Sequence, residues 1–253
     1  MASNTIKNKT AAFEMPVADI LLESAQYSFD AFVRQFKQKW HIEAEPYKDK
    51  GALGMIIDGR VLGCAFIPRP VDDALLLKSA RGNVLWLEAA ACVAKHKAHL
   101  KVAMTREGDP VTAHILFSKV ICSLLQQKNA MGVYLRPGLL ESSYYKKYAE
   151  GILDGKLPAE LWVHVNTLGF DSAEGFSLYT SGMRKFGKKE FELLETDSNF
   201  IDAFYSLRDL VKYTIENDVS FKDGDTVGSD GNKVLLSVSQ GVTIKGVTVK
   251  MKM

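Results

Sequence analysis

The spacing of apolar residues divides the chain into helical and extended segments. Ala18–Glu23 is a short apolar run with strand character, and Ser28 is placed to cap a helix whose apolar positions, Phe29, Phe32, Val33, Phe36 and Trp40, recur three or four apart. Three β-rich runs follow at His41–Glu45, Ala52–Ile57 and Val61–Pro68. Asp58-Gly59 predicts a hairpin between the last two, because both residues tolerate the positive φ of a primed turn. A second helix is predicted after Asn83, with Leu85, Trp86, Ala89, Ala90 and Val93 on one broad face. His99–Thr105 reads as a strand. Asp109-Pro110 then opens a helix to about Gln127, since Asp accepts free first-turn amides and Pro loses no hydrogen bond there. Met131–Leu135 is a third strand, and Leu140–Leu153 a further helix closed by Gly155.

The pattern changes near Lys156-Leu157-Pro158 and becomes strand-rich. Glu160–Thr167 alternates, placing Leu161, Val163 and Val165 opposite Trp162, His164 and Asn166. Phe176–Ser181 and Phe191–Glu195 are two more strands. Asp197 or Ser198 caps an amphipathic helix to about Glu216 that buries Phe200, Phe204, Leu207, Val211 and Ile215. Lys233–Ser239 and Val247–Met253 close the chain as strands, the latter with the alternation of an antiparallel strand that has one wet face. The pattern predicts an α+β fold of mixed, largely antiparallel sheets with helices packed on one face. It forms a single compact unit of two sub-parts, residues 18–156 and 157–253, behind a poorly ordered polar leader at 1–17.

Composition narrows the classes of function. Lys and Arg total 32 against 30 Asp and Glu, so the chain lacks the basic excess that neutralising a run of phosphates requires, and nucleic acid is not expected as a partner. The three cysteines, Cys64, Cys92 and Cys122, are widely spaced in apolar sequence and suit reduced thiols in a reducing compartment. The first ten residues lack the apolar stretch of a secretory signal. The longest apolar run, Val84–Val93, is broken by Glu88, so no membrane association is expected and a cytoplasmic location is.

No chemical motif is complete. His96 and His99 have a spacing that serves a metal best on one continuous helix, and here it straddles a predicted helix end. His114 and His164 fall on packing or surface positions. None of the cysteines sits at a helix N-terminus that would acidify it. The segment Asp223–Val234 superficially follows a calcium loop but places Val227 and Val234 where oxygen ligands belong. No phosphate-binding glycine spacing occurs. The cluster Tyr144, Tyr145, Lys146, Lys147 and Tyr148 reads as a solvated helix face. No cofactor or metal is therefore expected.

Three stretches together resemble a bacterial family of uncharacterised proteins carrying the domain of unknown function 4261. They are Leu85–Ala90 continuing into His96–Val102, Leu161–Val165 followed by Gly175–Glu190, and Asp223–Gly228. The resemblance implies an α+β architecture and supplies no catalytic residues. Gly182, Gly187, Gly224 and Gly228 are expected to serve turn geometry.

Two classes of function follow as expectations. The favoured one is a non-catalytic protein-binding module, an immunity or accessory protein that binds a toxin or effector in a type VI secretion setting, with Tyr144, Tyr145, Trp162 and Tyr179 as candidate anchors. The alternative is an enzyme acting on a small substrate through dispersed residues, with His99, His164, Glu190, Asp223 and Asp225 as the set whose convergence would favour it. A scaffold role ranks third.

Overall fold

The computed structural model describes residues 15–49, 52–105, 108–169, 175–228 and 233–252; most of the polar leader expected at 1–17 lies outside them. Residues 17–141 build a seven-stranded sheet from β1 (Val17–Leu22), β2 (Glu45–Asp49), β3 (Ala52–Ile57), β4 (Arg60–Ile67), β5 (Ala98–Met104), β6 (Ala130–Tyr134) and β7 (Leu139–Glu141). Its order is β2-β3-β4-β5-β1-β6-β7. β1 is central: Ile20 pairs with Leu100 on one side and Val133 on the other, both antiparallel.

Alternation along β1 sends Ala18, Ile20 and Leu22 to one face. There they join Phe32 and Phe36 of α1 (Phe29–Trp40) and Val120 and Ile121 of α4 (Pro110–Leu124) in the main core. Both helices start where the capping residues predict: Ser28 accepts from the Ala31 amide and Asp109 from the Thr112 amide. On the opposite face Leu21 packs with Leu76 and Ala80 of α2 (Ala74–Arg81) and Ala89 and Val93 of α3 (Ala89–Lys95). Helices therefore cover both faces of this sheet, where the sequence pattern suggested one.

The α2–α3 region also departs from expectation. α2, capped by Asp73, precedes the segment read as a helix. Asn83 Oδ1 accepts from the Leu85 and Trp86 amides while its amide nitrogen donates to the Leu139 carbonyl, so the chain stays in a turn until Ala89. Trp86 is then free to lie against Gly132, where a methyl group would come within 2.7 Å of the indole. Two shorter differences follow from the same competition between local and long-range partners. His41 ends α1 in the left-handed conformation, delaying β2 to Glu45. Leu139–Glu141 pairs with β6 before α5 (Ser142–Glu150) begins.

Residues 164–251 form the second sheet, from β8 (His164–Leu168), β9 (Phe176–Ser181), β10 (Phe191–Thr196), β11 (Thr226–Val227), β12 (Val234–Gln240) and β13 (Val247–Met251), in the order β11-β12-β13-β10-β9-β8. Between β10 and β11 runs α6 (Phe200–Glu216), capped by Asn199 and burying Phe204, Leu207, Val211 and Ile215. β13 pairs antiparallel with β12 but parallel with β10, which makes it interior and leaves Thr248 fully buried on the face expected to be wet. Residues 159–161 form a 3-10 turn, so Leu161, Trp162 and Val163 are all buried and the strand alternation starts at His164.

The two parts share one core. Trp162 Nε1 donates to Ser118 Oγ of α4 at 2.8 Å, and its ring stacks on Phe186 at 5.5 Å. Arg208 of α6 donates to the Tyr144 hydroxyl of α5 at 2.7 Å. The fold is thus α+β with two mostly antiparallel sheets, as the pattern predicts. No helix among the described residues is long and apolar enough to cross a membrane.

Candidate functional site

Where the two parts meet, a cavity of about 380 Å³ opens between α4, the chain leaving β6, and the 159–162 turn. Phe117, Leu135, Leu161 and Trp162 supply apolar walls, and Arg136 and Lys185 are the charged residues lining it. Its volume is in the range of small-molecule sites.

Arg136 is held from behind by two acids. Its Nη2 lies 3.1 Å from Asp19 Oδ2 and its Nε 3.2 Å from Asp73 Oδ2, while the guanidinium lies 5.6 Å from the centre of the Tyr134 ring. Its backbone adopts φ 39°, a left-handed conformation that costs a residue other than glycine energy and that the surrounding contacts must sustain. Asp19 is 1% exposed, an acid in an otherwise apolar central strand. It faces Lys101 and Tyr134 on the flanking strands, with Lys101 Nζ 4.0 Å from Oδ1. Asp19 Oδ1 and the Tyr134 hydroxyl are buried without a hydrogen-bond partner among the described residues. Burial pushes the Tyr134 phenol up, helped by the Asp73 charge. Burial also lowers the His99 pKa, against the opposing effects of its 2.8 Å contact with the Arg69 carbonyl and of Asp19.

The four tyrosine and tryptophan anchors expected from sequence sit mostly inside the protein. Tyr145 is 1% exposed and Trp162 5% exposed; both line the cavity, and neither is available as a surface anchor. Tyr144 is half-buried, its hydroxyl engaged by Arg208 and its ring 4.6 Å from Tyr148. Tyr179 is half-buried on β9. For Tyr144 and Tyr145 the cause is that α5 turns toward α6 and α4 the face that reads as solvated in sequence, whereas Trp162 is buried by the 159–161 turn.

The alternative acid–base set is not brought together. His99 belongs to the first sheet, whereas the His164 ring packs at Gly138 beside the cavity. Glu190 is spent on structure: its carboxylate accepts from the amides of Gly182, Met183 and Arg184 and from the Thr180 hydroxyl. Asp223 accepts from the Val238 amide and Asp225 from the Lys222 amide, closing their own loop; residues 229–232 of the calcium-like segment lie outside the described residues.

No group of three or more potential metal ligands occurs among the described residues. Both His96 nitrogens are engaged, Nε2 by the Val71 amide and Nδ1 by the Val93 carbonyl. Burial raises the Cys64 thiol to about 12 and the Cys122 thiol to about 11, the opposite of an activated nucleophile.

Sequence reasoning also missed Glu192, fully buried on β10. It accepts from the amides of Val242, Thr243 and Ile244 and from the Thr248 hydroxyl, with Lys250 Nζ 3.7 Å away. Burial alone would raise its pKa; these hydrogen bonds outweigh burial and lower it. The signal available in sequence was an acid between the apolar residues Phe191 and Leu193, as Asp19 lies between Ala18 and Ile20.

The surface offers a different feature. Within residues 75–87, Leu75, Leu77, Val84 and Leu87 are exposed, Leu87 to 89%.

Residues 179–252 match a family model described as Domain of unknown function (DUF4261). The match runs from β9 through β13, taking in the Gly182–Gly187 turn, Glu190 and Glu192, so the chain carries this domain in its second sheet. Neither curated proteins nor solved structures gave a match.

Proposed function

We propose that this protein acts by binding another protein, as an immunity or accessory protein that neutralises or escorts a toxin or effector of the type VI secretion kind, in the cytoplasm. The observation that carries the reading is the exposed aliphatic group of residues 75–87. Leu87 at 89% and Leu75 at 59% exposure leave apolar area in water that association would remove. The α2–α3 pair presents this group on a well-anchored platform, since Leu76, Ala80, Ala89 and Val93 fix it to the sheet. The acid–base residues that an enzymatic reading requires are spread over both sheets, with Glu190, Asp223 and Asp225 committed to loop closure. Free cysteines accord with a reducing compartment.

The test is recovery of the partner from the native host by affinity capture and mass spectrometry. Titration of the two purified proteins follows. A binary complex whose affinity falls at least about tenfold in Leu87→Asp, the equivalent of about 1.4 kcal/mol, supports the reading. A complex indifferent to Leu87→Asp and Leu75→Asp, or none with any captured protein, overturns it.

A further inference from the structure

The cavity between the two parts has a chemistry that the protein-binding reading does not use, and it shares no residue with the 75–87 surface. Its charged lining side chains, Arg136 and Lys185, are both cationic, and they come from opposite parts of the fold. Asp19 and Asp73, the acids bonded to Arg136, do not line the cavity; they grip Nη2 and Nε, and the guanidinium lies over the Tyr134 ring. A guanidinium gripped in this way is oriented in advance, so a ligand does not bear the entropy of fixing it.

Beside this fixed cation the walls are apolar and aromatic. Phe117, Leu135 and Leu161 offer contact area, and Trp162 is locked by its bond to Ser118. A bare inorganic anion would leave these walls unused, and a neutral apolar molecule would bury the guanidinium edge unpaired. A ligand satisfying both is an organic acid, with a planar carboxylate matching the guanidinium fork and an apolar or aromatic body on the tryptophan. We propose that this cavity is a binding site for a small organic acid, with Arg136 receiving the carboxylate and Lys185 adding attraction from the opposite wall.

The experiment is calorimetric titration of the full chain with phenylacetate, indole-3-acetate and hexanoate, each against its neutral amide and against inorganic phosphate. An acid should bind at least about tenfold more tightly than its amide, the scale of one charge-assisted contact. Lys185→Gln should weaken the acid roughly two- to fivefold, and the pair Arg136→Gln with Asp19→Asn, which leaves no buried carboxylate unpaired, should abolish the preference for acid over amide. Should that double variant fail to fold, the nitrogen–proton spectrum of the unaltered protein serves in its place. The Trp162 indole signal must then move with added acid and stay still with phosphate. Equal affinity for acid and amide, phosphate binding as tightly as the acids, no binding by any acid, or a preference that survives the folded double variant each overturns the proposal.

Discussion

The backbone amide of Gly182 donates to Glu190 Oε1 at 2.9 Å, and a methyl group on Gly182 would stand 2.5 Å from the Trp162 carbonyl oxygen. One buried carboxylate thus collects the amides at the start of the 183–186 turn, while the glycine lets the turn approach the segment carrying Trp162. Glu190→Gln retains an acceptor but brings an amide group among donors, and should cost roughly 1–3 kcal/mol. Gly182→Ala, at φ 131°, should cost at least about 2 kcal/mol. Urea unfolding of both variants checks this; a loss below 0.5 kcal/mol, roughly the level of ordinary surface substitutions, would remove the turn from the list of structural anchors.

Arg208 ties α6 to α5 through the Tyr144 hydroxyl and lies within 6.0 Å of the ring centres of Tyr144, Tyr148, Phe204 and Tyr205. Arg208→Ala removes a buried charged donor together with these ring contacts and should destabilise by roughly 2–4 kcal/mol. The larger share should be retained by Arg208→Lys, if charge over the rings matters more than the bond to Tyr144. Equilibrium unfolding of the two variants separates these contributions.

Gly132 sits under Trp86, with a methyl there only 2.6 Å from the Leu140 carbonyl. Gly132→Ala should therefore push β7 or the indole outward at a cost of roughly 1–3 kcal/mol. A red shift in tryptophan emission should accompany it, because Trp86 loses its cover.

Acid should destabilise the protein in two separable steps. Burial pushes His164 down to about 4 from the ordinary 6.5, so the unfolded chain binds the extra proton first. The contribution of His164, on the order of 2–3 kcal/mol, is whole above pH 6.5 and is lost as pH falls toward 4. Glu192, whose pKa is lowered, has the same sign in a lower window: its contribution is present above the unfolded value of 4.5 and lost as pH falls further. His164→Asn should flatten the upper part of the stability–pH curve and Glu192→Gln the lower. A curve unchanged by His164→Asn between pH 4 and 6.5 would refute the assignment.

Local signals located elements well where the partner was a near neighbour. Ser28, Asp109-Pro110, Asp58-Gly59 and Gly155 are read correctly because a cap or turn is decided within four residues. Asn83 misleads for the opposite reason. Its side chain is shared between the Leu85–Trp86 turn and the Leu139 carbonyl, a partner 56 positions away that no periodicity reveals. Leu139–Glu141 likewise has a helix-compatible sequence and becomes a strand only because β6 offers an edge. The Arg136 site was illegible on the same principle. Its components, Asp19, Asp73 and Arg136, come together through pairing of β1 with β6 and through the α2 cap, and each alone is an ordinary charged residue. What sequence did offer, an acid inside an apolar strand, is visible at both Asp19 and Glu192.

The central position of β1 has a consequence during synthesis. Its partners are β5 and β6, and Asp19 meets Tyr134 only after the ribosome has added on the order of a hundred further residues. At about 5–20 residues per second that interval lasts roughly 5–25 s. Until β5 is synthesised, a strand whose residues from Ala18 to Leu22 are all buried in the finished fold has no strand partner. Synthesis order therefore offers β1 its β5 edge before its β6 edge, so the middle of the first sheet is closed last, by the strand made first.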